Sequence, residues 1–187
     1  VVTASADMKS IPVTLDKATP GSNGYTLKGF KNATAFGYST EASGDNATAF
    51  GNDTKAKASA ATAFGTTTTA SGDNATAFGL STTASGKQTT AFGSSTTASG
   101  DNATAFGENS TASGEAATAF GIGSTASGKN SLAGLGGTAS NENSIALGKD
   151  TKADNADSAV SVAIGQNAEA SGAQSLAIGF GNVSETN

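Results

Sequence analysis

Asp45, Asp73, Asp101 and Glu115 occupy one place in a fourteen-residue period, and Lys87 and Lys129 hold that place in two other turns. Carboxylates are the groups most able to do acid–base chemistry here, because the 187-residue chain has no His and no Cys. That composition excludes histidine-based triads and Cys/His zinc sites. A catalytic carboxylate dyad needs one special pair. A column in which acids recur and bases replace them reads instead as charged loop ends that keep the surface soluble. Gly121-Ile122-Gly123-Ser124-Thr125-Ala126 fits a loose dinucleotide fingerprint, but no βαβ unit surrounds it, so it counts as chance. The nonapeptide that binds calcium in other repeat proteins is absent. Asn-x-Ser/Thr triplets at Asn32, Asn46, Asn74 and Asn102 recur with the repeat and read as its by-product rather than as glycosylation signals. These residues together point to a chain that is no enzyme and needs no cofactor or metal.

The element that positions them is the repeat itself. Phe36, Phe50, Phe64, Phe78, Phe92, Phe106 and Phe120 stand fourteen residues apart, each closing a Thr-Ala-Phe-Gly tetrapeptide. Such a period means one structural unit stacked many times. A second column runs Ala42, Ala56, Ala70, Ala84, Ala98, Ala112 and Ala126, mostly followed by Ser-Gly. After Gly128 the register loosens. Residues 132–136 form an irregular turn, and the spacing from Gly148 to Gly165 is three residues longer than the period, which places a surface bulge near Asp154 to Ser158. Counting motifs gives about eleven coils over residues 31–181. Residues 1–30 fall outside the period and read as an N-terminal cap or the end of a preceding segment, with Ile11, Val13 and Leu15 alternating as in a strand. Residues 182–187 read as the start of a neck or linker.

Bulk properties agree with a repeat. Gly supplies 25 residues, against a usual share of about 7%. The net charge of −5, with ten scattered Lys and Arg, does not provide the basic stripe that nucleic acid requires. No run of apolar residues is long enough for a membrane-spanning helix, so direct membrane contact is not expected of this segment. The chain starts at Val1 without an initiator Met or a signal-peptide pattern, which reads as a piece of a longer protein.

Two glycine places in every fourteen residues would break a helix twice per repeat, whereas Thr and Phe favour strands. Two strands of about five residues joined by two glycine turns use up the period. Successive coils then stack at about 4.8 Å, giving a rod on the order of 50 Å. Alternation in Ala47-Thr48-Ala49-Phe50 puts the alanines on one face and Thr48 and Phe50 on the other. A flattened coil has little interior room, so the alanines should fill it. The Phe column then forms an outward apolar ridge, continued by Leu147, Ile164 and Ile178. A ridge of that length is larger than a monomer leaves exposed, so the chain should associate through it. The opposite facing, Phe inward, needs a wider interior and no oligomer. On the other strand Thr82 and Ala84 point inward, with Thr83 and Ser85 outward.

Ser161-Val162-Ala163-Ile164-Gly165 followed by Asn167-Ala168-Glu169-Ala170-Ser171-Gly172, and again Ser175-Leu176-Ala177-Ile178-Gly179, resemble the repeat of YadA-like heads in trimeric autotransporter adhesins. The Thr-Ala-Phe-Gly turns are a variant with Phe at the Ile place. The resemblance spans about residues 32–181. It implies an all-β, left-handed parallel β-roll of 14-residue coils assembled as a homotrimer. It also implies a place on the surface of a Gram-negative bacterium, outside the outer membrane, anchored by a C-terminal region that this chain lacks. Partners implied are extracellular-matrix proteins or cell-surface receptors of a host.

The expected function is that of an adhesin head, with Phe36, Phe50, Phe64, Phe78, Phe92, Phe106, Phe120, Leu147, Ile164 and Ile178 at the trimer interface. The outward file Thr69, Thr83, Thr97, Thr111 and Thr125, with the variable loop residues 38–39, 52–53, 80–81, 94–95 and 108–109, is the expected ligand-contact surface. An ice-binding solenoid is the alternative from another class, because a flat threonine ladder can order water. Its weakness is that the neighbouring outward column is mostly Ser and the ladder covers about half the rod. A passive spacer projecting another domain is the third reading.

Overall fold

The computed structural model describes residues 25–27, 32–154 and 160–183. The chain winds into a parallel β-solenoid with two sheets, one of twelve strands and one of eleven. Strands along the chain alternate between the sheets, so each coil contributes one strand to each. Every described pairing is parallel. Motif counting expected about eleven coils; eleven strands line the Phe sheet, and about ten turns separate the first from the last.

The two strands of a coil are unequal. The Phe-bearing strands, such as Thr76–Leu80, run five residues, while the opposite strands, such as Thr83–Ala84, mostly run two. The expectation of two five-residue strands fails because the Ser-Gly-Asp-Asn corner consumes more of the period. That corner closes as a turn, in which Ala75 N–H donates to Gly72 O at 3.1 Å and Ala103 N–H to Gly100 O at 3.1 Å.

The core is a stack of alanines. Ala47, Ala49, Ala61, Ala63, Ala75 and Ala77, among others, have no exposed surface. Small side chains are all that the flattened interior accommodates, alanine in most inward columns and threonine or serine in the column of Thr54, Thr68, Thr82 and Thr96. Ala84, Ala98 and Ala112 fill the same interior from the other sheet. Identical residues sit over one another, as in Phe78↔Phe92↔Phe106 and Thr83↔Thr97↔Thr111. Backbone bonds of about 2.8–2.9 Å tie each coil to the next, such as Thr48 N–H to Ala61 O.

The glycine after each Phe is dictated by backbone. Gly79 has φ +130°, and a Cβ there would fall on the carbonyl oxygen of Gly93 in the next coil. Only a residue without Cβ satisfies both demands. At the corner that carries the charges the left-handed residue is the second after the glycine, such as Asn74 (φ 56°), Gln88 (55°) or Asn102 (60°), not the glycine itself. The glycines there, such as Gly100, instead make room for the backbone of the next coil.

Tyr25–Leu27 pairs with Thr40–Ala42, so the larger sheet begins one strand before the regular period. The alternating Ile11, Val13 and Leu15 lie outside the described residues, as do residues 184–187 of the expected neck. The irregular turn at 132–136 is still a coil. Its corner has three residues, 135–137, between Gly134 and Thr138, where the preceding coil has four, 121–124. The Ser124 hydroxyl repairs the shortage, donating to Phe120 O at 2.7 Å and accepting from Gly136 N–H at 3.0 Å. The long step between Ala146 and Ala163 keeps register on both sides of the insertion, whose residues 155–159 lie outside the described set.

Candidate binding surfaces

Four surfaces follow from the coil: two sheet faces and two corners. On the face of the eleven-stranded sheet the phenylalanines point outward. The rings of Phe36, Phe50, Phe64, Phe78, Phe92 and Phe106 stack with centroids 4.8–5.2 Å apart and planes within 16° of parallel. Phe78, in mid-rod, stays 38% exposed and Phe106 54%, because stacking covers the ring faces and leaves the edges open. Thr48, Thr62 and Thr76 stand beside them as a half-buried file. Phe120 is half-buried, and its ring lies over Gly134. Beyond that point Leu147, Ile164 and Ile178 continue the same register. The structure thus brings all ten expected interface residues onto one face.

On the opposite face Thr69, Thr83, Thr97, Thr111 and Thr125 form one in-register file, extended by Thr138. Each is half-buried between its neighbours. The file is closed at both ends by charge, Lys55 pairing with Thr69 and Thr138 with Lys152. The column beside it is serine, with Ser71, Ser85, Ser99, Ser113 and Ser127 exposed.

The first corner carries the charges. Asp73 accepts the Ser59 N–H at 3.3 Å, and Asp101 the Lys87 N–H at 2.9 Å, each from the coil before. Lys129 meets Glu115 at 3.0 Å, and the hydrogen bond and charge of Glu115 raise the Lys129 pKa above its ordinary value. These carboxylates are spread along the rod and tied to backbone or to a lysine, which is a rung-to-rung brace rather than a catalytic pair. Asn32 donates to Asn46 at 3.1 Å and Asn130 to Asn143 at 3.1 Å, an intermittent amide ladder. Among the described residues no group of three or more His, Cys, Asp or Glu could hold a metal ion. No described helix is long and apolar enough to cross a membrane.

The second corner carries the variable residues. Tyr38, Leu80 and Ile122 stand exposed there, and Leu135 is 61% exposed one coil beyond Ile122. Motif reading singled out positions 38 and 80 as variable, but not the Ile122–Leu135 patch, because it falls where the register slips by one residue. The open groove lined by Asp150, Lys152, Asn167, Glu169 and Gly181, at the far end, joins charged groups of both signs.

A rod of stacked parallel coils with flat, repetitive faces belongs to the class of parallel β-solenoids. The YadA head domain repeat matches at residues 31–54, 56–82, 84–110, 112–133, 139–159 and 161–182, and the chain belongs to that family. That family is structural and adhesive rather than enzymatic, and its heads are trimeric parts of Gram-negative surface autotransporters. No curated protein matches the chain.

Proposed function

We propose that this chain is the head of a homotrimeric adhesin on the surface of a Gram-negative bacterium, attaching it to host extracellular matrix or cells. The observation that carries the reading is the Phe ridge. It runs in register along the rod, outward and half-open, on a protomer whose core is already complete with alanine. An apolar ridge of this length drives association. Full burial of such a side chain is worth about 1.5–3 kcal/mol, and covering the half of each ring still open contributes roughly half of that. Seating three ridges together leaves the Thr/Ser faces and the variable corners to solvent in three copies. Repetition of one weak contact surface then raises avidity without a deep pocket.

Ice binding is not favoured. The threonine file is single, bordered by serine and closed by lysines, and ice binding gives no account of a second, aromatic ridge. The test is the mass of the chain in solution by light scattering across a concentration series, followed by adhesion of beads carrying it to matrix-coated surfaces. A mass of three chains and retention of the beads are expected. A monomer at every concentration overturns the assembly through this ridge. Beads that bind no better than uncoated ones to matrix or cells overturn adhesion and leave a spacer.

A further inference from the structure

The charged corner holds one left-handed residue per coil. Asn46, Ala60, Asn74, Gln88, Asn102, Ala116, Asn130 and Asn143 all have φ between 52° and 60°. Ala60, Gln88 and Ala116 show that this backbone does not require asparagine. Yet Asn46, Asn74 and Asn102 each head an Asn-Ala-Thr triplet, the acceptor pattern for N-linked sugar. The repeat alone explains such triplets as a by-product; their placement in the coil adds three things. All three asparagines are exposed on one edge of the rod. Their partner hydroxyls belong to Thr48, Thr76 and Thr104, which share the outward face with Phe rather than the interior. They also occupy every second coil, about 10 Å apart at the usual strand spacing. Sugar rings on adjacent rungs would collide, whereas alternate rungs leave clearance above Ala60, Gln88 and Ala116.

We propose that Asn46, Asn74 and Asn102 are N-glycosylation sites, which set a file of sugars along one edge of the rod. The acceptor Nδ2 attacks the anomeric carbon of a sugar activated as a phosphate ester. The C–N bond forms, the anomeric C–O bond breaks, the nucleoside diphosphate or lipid pyrophosphate leaves with the electron pair, and the amide gives up one proton to a base of the transferase. The donor is a nucleotide sugar or a lipid-linked sugar pyrophosphate, and a separate transferase brings it. Asn32 heads a fourth triplet, but it sits on the rung beside Asn46 and donates its Nδ2 to Asn46 Oδ1. One sugar fits that pair, and it falls on Asn46. Two triplets at the other corner are withheld by the folded coil: the Thr54 side chain is fully buried, and Asn109 Nδ2 donates to Glu108.

The test is peptide mass spectrometry of the full protein taken from the cells that display it. Sugar mass increments are expected on Asn46, Asn74 and Asn102. None is expected on Asn130 or Asn143, which share the corner but have Leu132 and Ile145 where the hydroxyl is needed. A single-sugar increment identifies a nucleotide-sugar donor, and an oligosaccharide block a lipid-linked one. Thr76→Val keeps the branched shape and should abolish the increment at Asn74 alone. Unmodified peptides at all three sites overturn the proposal, as do equal increments on Asn130 and Asn143.

Discussion

The ring of Phe120 lies over the bare Cα of Gly134, the residue that follows it in the Phe column one coil on. The regular stack of exposed rings runs from Phe36 to Phe106, and Phe120 covers the gap left where the side chain is missing. Gly134 has no positive φ, so its constraint is purely the ring above it. Gly134→Ala should therefore cost about 1–3 kcal/mol through overpacking. Phe120→Ala in the same chain should recover most of that loss. A double-mutant cycle on urea midpoints measures the coupling, and strict additivity would show that the ring is not what Gly134 accommodates.

Gly79→Ala makes the contrast. Here the added methyl meets the carbonyl of Gly93, a backbone atom that cannot rotate away, and φ +130° is itself strained for any L side chain. The expected loss is about 3 kcal/mol or more, larger than at Gly134 and not relieved by any single side-chain truncation. Equal melting of the two glycine variants would contradict this account.

Phe78→Asp probes the proposed seam. The protomer tolerates it, because Phe78 faces outward and the alanine core beneath is untouched. In a trimer, three carboxylates would be buried near one level without partners, a cost of several kcal/mol. Circular dichroism should therefore stay strand-like while the mass by light scattering falls to one chain. A variant that remains trimeric with unchanged melting would place the seam elsewhere.

Much of this was legible before the fold. Fourteen-residue spacing and the alternation in Ala47-Thr48-Ala49-Phe50 were enough to place alanine inside and Phe outside, because a period-two pattern has only two facings. Strand lengths were not legible, since turn and strand share the same small residues around Ala70-Ser71-Gly72. Nor was the left-handed corner, because Ala60 and Gln88 give no turn signal yet follow the geometry set by the rungs beside them. Phe120 was read as one more ridge residue; its different role arises from Gly134, fourteen positions away, and from the one-residue-short corner after it.

The Glu115–Lys129 pair sets a pH expectation. Glu115 raises the Lys129 pKa, so any stability it adds is fully present below the ordinary lysine value of 10.5 and fades as pH rises through the raised one. Both side chains are about half exposed, so the pair is worth little in salt. Melting of Lys129→Met should match the parent at 0.15 M ionic strength. A large loss at neutral pH would mean that the charged corner is a stability element rather than a solvated edge.

The inward corner column tests the core chemistry. Thr54, Thr68, Thr82 and Thr96 are fully buried, and their hydroxyls have no partner. Ser124, in the same column, spends its hydroxyl on Phe120 O and Gly136 N–H. A buried hydroxyl without a partner opposes folding, and a methyl of the same shape removes that penalty. Thr82→Val should thus leave stability unchanged or raise it by about 1 kcal/mol, while Thr82→Ala loses packing. Ser124→Ala should lower stability by about 1–3 kcal/mol, because it strands the Gly136 N–H. Urea midpoints of the three variants decide the matter. A destabilising Thr82→Val would mean that these hydroxyls are satisfied in solution, with one buried water per rung as the candidate partner.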